Sequence, residues 1–388
     1  MMTSSELLGN TQTNVTAAND QDSRFTKRLH RSHRNDLLKG MRVSYQVTLK
    51  ASGKQFTVQK DETLLEAALQ QGITLPYGCK NGACGSCKGK ILEGQVEHGQ
   101  HSATALSPTD EAAGGTLFCC AHPKSDLLIE AREVQGTGDI AIRKVPCRVN
   151  TIVKPSADVA ILQLQLPAAE RFQFLAGQYL EFLLKDGQRR AYSIANAPDQ
   201  EGPLELHIRH LQGGLFTDQV FGAKDPALKE KDILRFEGPL GSFFLREDSK
   251  KPIIFVAAGT GFAPIKSIVE HMRLKKIQRP IHLYWGGRRP SDLYLNQLCQ
   301  SWAKDIPNFK YIPVISDALP EDQWTGRTGF VHQAVMADHL NMSPYQVYAC
   351  GAPVMVNAAR QDFASQCSLP EEEFFADSFT SAADLETN

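Results

Sequence analysis

The chain has 388 residues, enough for two or three domains, because single cores rarely grow past roughly 250 to 300 residues. Its 42% hydrophobic and 22% charged residues, with a net charge of −1, describe an ordinary globular protein and exclude the basic excess of a nucleic-acid binder. No apolar run approaches the ~20 residues that span a bilayer, the longest being the strand-sized PIIFVAAG, Pro252 to Gly259.

The first 40 residues are polar and lack the apolar core of a secretory signal, so a disordered extension is expected over 1–40, with Met41 a candidate start. Its Arg/His-rich part, Arg24 to Arg34, is a candidate docking or targeting tail. Nine cysteines without a signal peptide argue for metal or reactive thiols rather than disulfides, and the cytoplasm is the expected compartment.

The short β-branched runs VSYQVTL (Val43–Leu49) and QFTVQ (Gln55–Gln59) predict a hairpin. A helix follows, with Thr63 and Glu66 as a capping box, Leu64, Leu65, Ala68 and Leu69 as its apolar stripe and Gly72 as its stop. The loop PYGCKNGACGSCKGK (Pro76–Lys90) comes next, and GKILEGQVEHG and DLLIEA supply further strands. Residues 41–134 therefore read as a small α+β domain, with VQGTGDIAIRK as a linker. Short strands and frequent turns over 145–248 predict an antiparallel barrel. Over 249–380, apolar strands alternate with helical segments, which predicts a parallel, doubly wound sheet.

Cys79, Cys84 and Cys87 form C-x4-C-x2-C, and Cys119 follows 32 residues after the third, a spacing that matches a plant-type two-iron, two-sulfur site. Gly78, Gly82 and Gly85 would relieve crowding where a backbone must wrap closely round an inorganic core. Zinc is the competing reading of Cys84-x2-Cys87, but a structural zinc site needs a second closely spaced pair, which the adjacent Cys119 and Cys120 do not provide. Cys147, Cys299 and Cys367 have no local partners and read as packing residues.

RRAYSIAN carries Arg190-x-Tyr192-Ser193, which resembles the R-x-Y-S signature of the ferredoxin–NADP reductase superfamily; HIRHLQGGLFT and GPLGSFFLR follow in that family's order. AAGTGFAP places Gly259, Thr260, Gly261 and Pro264 between an apolar strand and a helix, where a pyrophosphate can approach backbone N–H groups. YACGAP and the terminal FFADSF complete the resemblance, with Asp377 where a glutamate is more usual. Taken in order, 43–380 is similar to iron–sulfur flavoprotein reductases: the reductase components of bacterial aromatic-ring and alkene oxygenases and, in FADSFTSA and LFCCAHPKSDL, most of all CDP-6-deoxy-Δ3,4-glucoseen reductases.

That resemblance implies a β-grasp ferredoxin domain, an FAD-binding antiparallel barrel and a Rossmann-like NAD(P) domain. It selects Cys119 over Cys120 as the fourth ligand of a 2Fe-2S cluster, beside Cys79, Cys84 and Cys87. It implies Arg190 on the flavin phosphate, Tyr192 over the isoalloxazine and Ser193 at the hydride-accepting nitrogen. His207, Ile208 and Arg209 would line the flavin, and Gly213, Gly214 and Thr217 its pyrophosphate; an ordinary hairpin turn is the other reading of Gly213-Gly214. Cys350, Gly351 and Pro353 would lie beside the nicotinamide, although Cys350 alone also reads as a core thiol. Phe379 would cover the flavin, and Arg288 or Arg289 would meet a 2′-phosphate or face solvent. The implied activity is hydride transfer from NADH, with NADPH the alternative, to FAD, then single electrons through the cluster to an acceptor protein. The acceptor would be a pyridoxamine-dependent dehydratase or an oxygenase component. A monomer is expected, and an iron–sulfur redox sensor is the non-enzymatic alternative.

Overall fold

The computed structural model describes residues 44–134 and 140–380; the extension over 1–40, Met41 and residues 135–139 of the expected linker lie outside the described residues. The chain begins with the expected hairpin, β1 (Ser44–Leu49) and β2 (Gln55–Gln59), whose alternate residues Val47, Leu49, Phe56 and Val58 are buried on one face. Helix α1 (Leu64–Gln70) is capped reciprocally, Glu66 N–H donating to Thr63 Oγ1 and Thr63 N–H to Glu66 Oε2, both at 3.2 Å. Leu64, Leu65, Ala67 and Ala68 press this helix onto the sheet, with Leu69 at the edge of the contact.

The stretch GKILEGQVEHG contributes two strands, β3 (Lys88–Glu93) and β4 (Val96–His98). Gly94 breaks them at φ 94°, and a side chain there would meet the Asp126 carbonyl at 2.2 Å. After α2 (Pro108–Ala112) come β5 (Gly115–Leu117), β6 (Ala121–Pro123) and β7 (Leu127–Glu130). The main sheet runs β2-β1-β7-β3-β5 with β1 and β7 parallel, a β-grasp arrangement, while β4 and β6 pair separately.

Six strands form the second unit: β8 (Arg143–Val153), β9 (Val159–Gln165), β10 (Tyr179–Leu183), β11 (Arg189–Ser193), β12 (Leu204–Arg209) and, after the short α3 (Thr217–Phe221), β13 (Ile233–Leu240). They are antiparallel in the order β11-β10-β13-β8-β9-β12, and an Ile194–Leu206 bridge joins the two ends into the expected barrel.

The third unit alternates β14 (Ile253–Ala258), α4 (Phe262–Leu274), β15 (Ile281–Gly287), α5 (Asn296–Asp305), β16 (Phe309–Ile315), β17 (Arg327–Thr328), α6 (Val331–Asp338), β18 (Gln346–Gly351), α7 (Pro353–Cys367) and β19 (Phe374–Ser378). All strands are parallel in the order β17-β16-β15-β14-β18-β19. Apolar clusters on both faces explain why β14 and β18 read as unbroken hydrophobic runs. Among the described residues no helix is long and apolar enough to cross a membrane.

Candidate cofactor site

The cysteine loop turns on Lys80, Gly82 and Gly85, at φ 60°, 83° and 72°. Gly82 is required by space as well, since a side chain there would meet the Gln100 carbonyl at 2.6 Å. These turns bring Cys79, Cys84 and Cys87 together with Cys119. Thiol hydrogen bonds link Cys79 to Cys119 and Cys84, and Cys87 to Cys119; with burial they push the Cys84 and Cys87 thiols well above their ordinary range. The N–H groups of Cys79 and Ser86 point at Cys84 Sγ, at 3.4 and 3.5 Å. Cys120 turns its thiol to the Leu117 carbonyl at 3.7 Å. Among the described residues no three His, Cys, Asp or Glu side chains close round one point as a lone metal ion would need. A two-iron cluster divides four thiolates between two irons, so this donor set fits it better than zinc.

Cys79 also lies on the wall of a cavity of about 1640 Å³ that continues past the barrel to the parallel sheet. The barrel wall carries Arg190, Tyr192 and Ser193 from β11, the near side of His207 and Arg209 from β12, and Gly213, Gly214 and Thr217 from the following loop. The sheet side carries Gly259, Thr260, Arg288 and Pro353, and the closing side Asp377 and Phe379.

Arg190 is suited to an anion. Its guanidinium donates only to the neutral Arg189 carbonyl and Gln188 Oε1, and among the described residues no carboxylate lies within ion-pair distance of it. Arg209 is different, because it is paired with Asp158 at 2.9 Å and lies 3.9 Å from Asp292. Tyr192 packs with Phe182 and Phe216 at ring separations of 5.8 and 5.6 Å, and burial raises its hydroxyl pKa. Thr217 Oγ1 donates to the Leu211 carbonyl at 2.8 Å, and Gly213, at φ 80°, lets the 211–217 loop turn. Gly259, at φ 53°, lies beneath the Arg209 guanidinium, and its carbonyl accepts from Trp285 Nε1 at 3.0 Å.

Asp377 lies where the three units meet. Its Oδ2 is 3.5 Å from Ser193 Oγ and 4.0 Å from Cys350 Sγ, and its Oδ1 is 3.5 Å from where a Cβ on Gly78 would stand. Burial pushes its pKa up to about 7; the Cys84 charge adds to this and the Ser193 hydrogen bond opposes it.

Ile208, Gly261, Pro264, Cys350 and Gly351 are not on the cavity wall. On β12 the side chains alternate, so Leu204, Leu206 and Ile208 point into the barrel core while Glu205, His207 and Arg209 take the other face. Ile208 is therefore a core residue. The His207 ring is fully covered and turned toward the sheet unit, with Nδ1 2.7 Å from Tyr294 Oη and Nε2 2.9 Å from Glu205 Oε1. Gly261 packs on the end of β18, where a Cβ would stand 2.1 Å from the Cys350 carbonyl, and Pro264 is buried in the first turn of α4. Cys350 and Gly351 lie behind the wall; burial raises the Cys350 thiol well above its ordinary range, and Gly351 packs against Ala258. Glu181, Arg189 and Phe330 do line the cavity, and nothing local marks them: Glu181 pairs with Arg189 at 2.7 Å and with Lys80, 101 residues away, at 3.2 Å.

Three family models match consecutive segments: a 2Fe-2S iron–sulfur cluster binding domain over 47–124, an oxidoreductase FAD-binding domain over 146–245 and an oxidoreductase NAD-binding domain over 255–361. The CDP-6-deoxy-L-threo-D-glycero-4-hexulose-3-dehydrase reductase of Yersinia pseudotuberculosis is 43% identical over 337 residues, 87% of this chain and 99% of that protein. The phenol hydroxylase P5 protein of Acinetobacter pittii is 37% identical over 348 residues, 88% of this chain and 96% of that one. Among solved structures, an Amycolatopsis cytochrome P450 reductase matches with a TM-score of 0.69 at 32% identity, over 87% of this chain and 99% of its own. The chain thus belongs to the iron–sulfur flavoprotein reductases, oxidoreductases that carry 2Fe-2S, FAD- and NAD-binding domains on one polypeptide.

Proposed function

We propose that the chain draws electrons from NADH and delivers them one at a time, in the cytoplasm, to a pyridoxamine-dependent dehydratase that deoxygenates a CDP-linked sugar. The observation that carries the electron-transfer part is the single cavity, lined at one end by Cys79 and at the other by Arg288 and Pro353. When bound, FAD accepts hydride from the nicotinamide and passes electrons singly to the cluster. Arg190, free of carboxylates, would hold the flavin phosphate, Tyr192 would pack against the ring system, and Ser193 would lie at the ring nitrogen that receives hydride. Asp377 orients Ser193 and, with Phe379, keeps water from that edge. Cys79, Cys84, Cys87 and Cys119 hold the cluster.

NADH is favoured over NADPH because Arg289 is already paired with Asp322 at 2.7 Å and Glu321 at 3.7 Å, while the Asp292 carboxylate occupies the turn by accepting the Arg288 and Arg289 N–H groups. Arg288 is the one cation of this pair left facing the cavity. The dehydratase acceptor is inferred from the Yersinia relative, whose name describes a dehydrase reductase. The test is anaerobic: NADH and the purified chain are mixed with a pyridoxamine-dependent dehydratase carrying its CDP-sugar, and in parallel with a phenol hydroxylase oxygenase component. Turnover with the first alone is expected. Turnover with the oxygenase alone transfers the chain to the oxygenase reductases, and failure to reduce either acceptor or cytochrome c favours a sensor.

A further inference from the structure

The cysteine loop is gripped on both sides of its first cysteine by the barrel. The Tyr77 N–H donates to Ser242 Oγ at 2.8 Å, and the Tyr77 carbonyl accepts from Ser242 Oγ at 2.9 Å and from the Ser242 N–H at 3.2 Å. The Gly241 N–H donates to the Tyr77 hydroxyl at 2.8 Å. Gly78, the next residue, has its carbonyl held by the Tyr179 hydroxyl at 2.7 Å. Beyond Cys79, Lys80 pairs with Glu181. Gly241, at φ 93°, is what lets the parts meet, because a side chain there would stand 2.8 Å from the Tyr179 ring.

Tyr179 faces Ser193 directly across the β10–β11 ladder. One strand pair therefore carries, on opposed residues, the grip on the cysteine loop and the hydroxyl assigned above to the flavin. We propose that Tyr77, Tyr179 and Ser242 form a latch between domains that fixes the gap from flavin to cluster, with the Cys79 edge of the cluster as the point of electron entry. They are positioning residues and act through the loop they hold. The proposal rests on the reading that FAD lies along β11. Electron transfer between buried centres weakens steeply as the gap widens, so a loosened latch slows that step and leaves hydride transfer alone.

Tyr77 and Ser242 lie off the cavity wall, which makes Ser242→Ala and Tyr77→Phe the informative variants. The holoenzymes are mixed anaerobically with NADH, and flavin and cluster reduction are followed separately, with the spin-resonance spectrum of the reduced cluster and backbone hydrogen exchange at Tyr77 and Ser242 recorded alongside. Flavin reduction is expected at the parent rate and the cluster spectrum unchanged. Amide exchange should quicken, and the flavin-to-cluster phase should slow severalfold, because the tunnelling rate falls exponentially with the gap the electron crosses. An unchanged flavin-to-cluster phase despite faster exchange in Ser242→Ala overturns the latch, as does a slowed phase with an altered cluster spectrum. If the parent protein binds no FAD, the underlying reading has failed instead. Should Tyr77→Phe not fold, Ser242→Ala decides by the same criteria.

Discussion

The barrel meets its two neighbours by different physical means. Toward the cysteine domain it uses mainly hydroxyl and backbone groups, Tyr77 to Ser242 and Gly241, and Tyr179 to Gly78, together with the Lys80–Glu181 ion pair. Toward the parallel sheet it uses a buried ionic chain: Tyr294 to His207 at 2.7 Å, His207 to Glu205 at 2.9 Å, Glu205 to Lys266 at 3.0 Å and Lys266 to Glu270 at 2.8 Å. Neutral contacts can part without stranding a charge, whereas a severed ionic chain leaves one buried. The second interface should therefore behave as a fixed joint and the first as one that small changes can loosen.

Breaking the ionic chain should have the larger effect on stability. Lys266→Ala leaves Glu205 and Glu270 facing each other without a cation, and a loss of about 3 kcal/mol is expected in denaturant unfolding. Tyr77→Phe strands the Gly241 N–H, which should cost about 1–2 kcal/mol by the same measurement. If the two losses are equal, the contrast between the joints is wrong.

Acid sharpens the comparison. Burial alone would raise the Glu205 pKa, but the His207 hydrogen bond and the Lys266 charge outweigh it and bring it down from 4.5 to about 2. Burial lowers the His207 pKa below its ordinary 6.5. Both folded pKa values are depressed, so between folded and unfolded values the unfolded chain binds more protons, and stability present at neutral pH is lost as the pH falls. The loss should begin below 6.5 through His207 and deepen between 4.5 and about 2 through Glu205. The latch has no group that titrates there, since burial holds the Tyr77 hydroxyl at about 12. Unfolding midpoints against pH should thus flatten below 4.5 in Glu205→Gln and keep the parent slope in Ser242→Ala. The smallest effect belongs to Lys80→Ala: its pair with Glu181 is partly solvated, and Glu181 keeps Arg189, so a change under about 1 kcal/mol is expected, smaller still in added salt.

What could be read from the residues was what depends on neighbours along the chain. The Thr63–Glu66 cap, the cysteine spacing and the apolar strands β14 and β18 are local, and each led to the right element. Ile208 follows the same local logic: successive residues of a strand face opposite sides, so with His207 and Arg209 on one face Ile208 turns into the barrel core. Cys350 shows a limit, because whether a thiol stands on a wall or behind it depends on how Asp377 and Gly261 pack from separate segments. The latch was out of reach: Tyr77 and Ser242 are 165 residues apart, and a tyrosine before a cysteine or a serine after a glycine carries no mark of its partner.

The most direct test of the account compares the parent protein with Cys84→Ala under anaerobic mixing with NADH and cytochrome c. The parent should bleach in two phases, flavin first and cluster second, while the variant should lose the iron and the second phase, keep the first, and reduce cytochrome c at a small fraction of the parent rate. A variant that retains its iron, or that reduces cytochrome c as fast as the parent without it, would contradict a route through this cysteine loop.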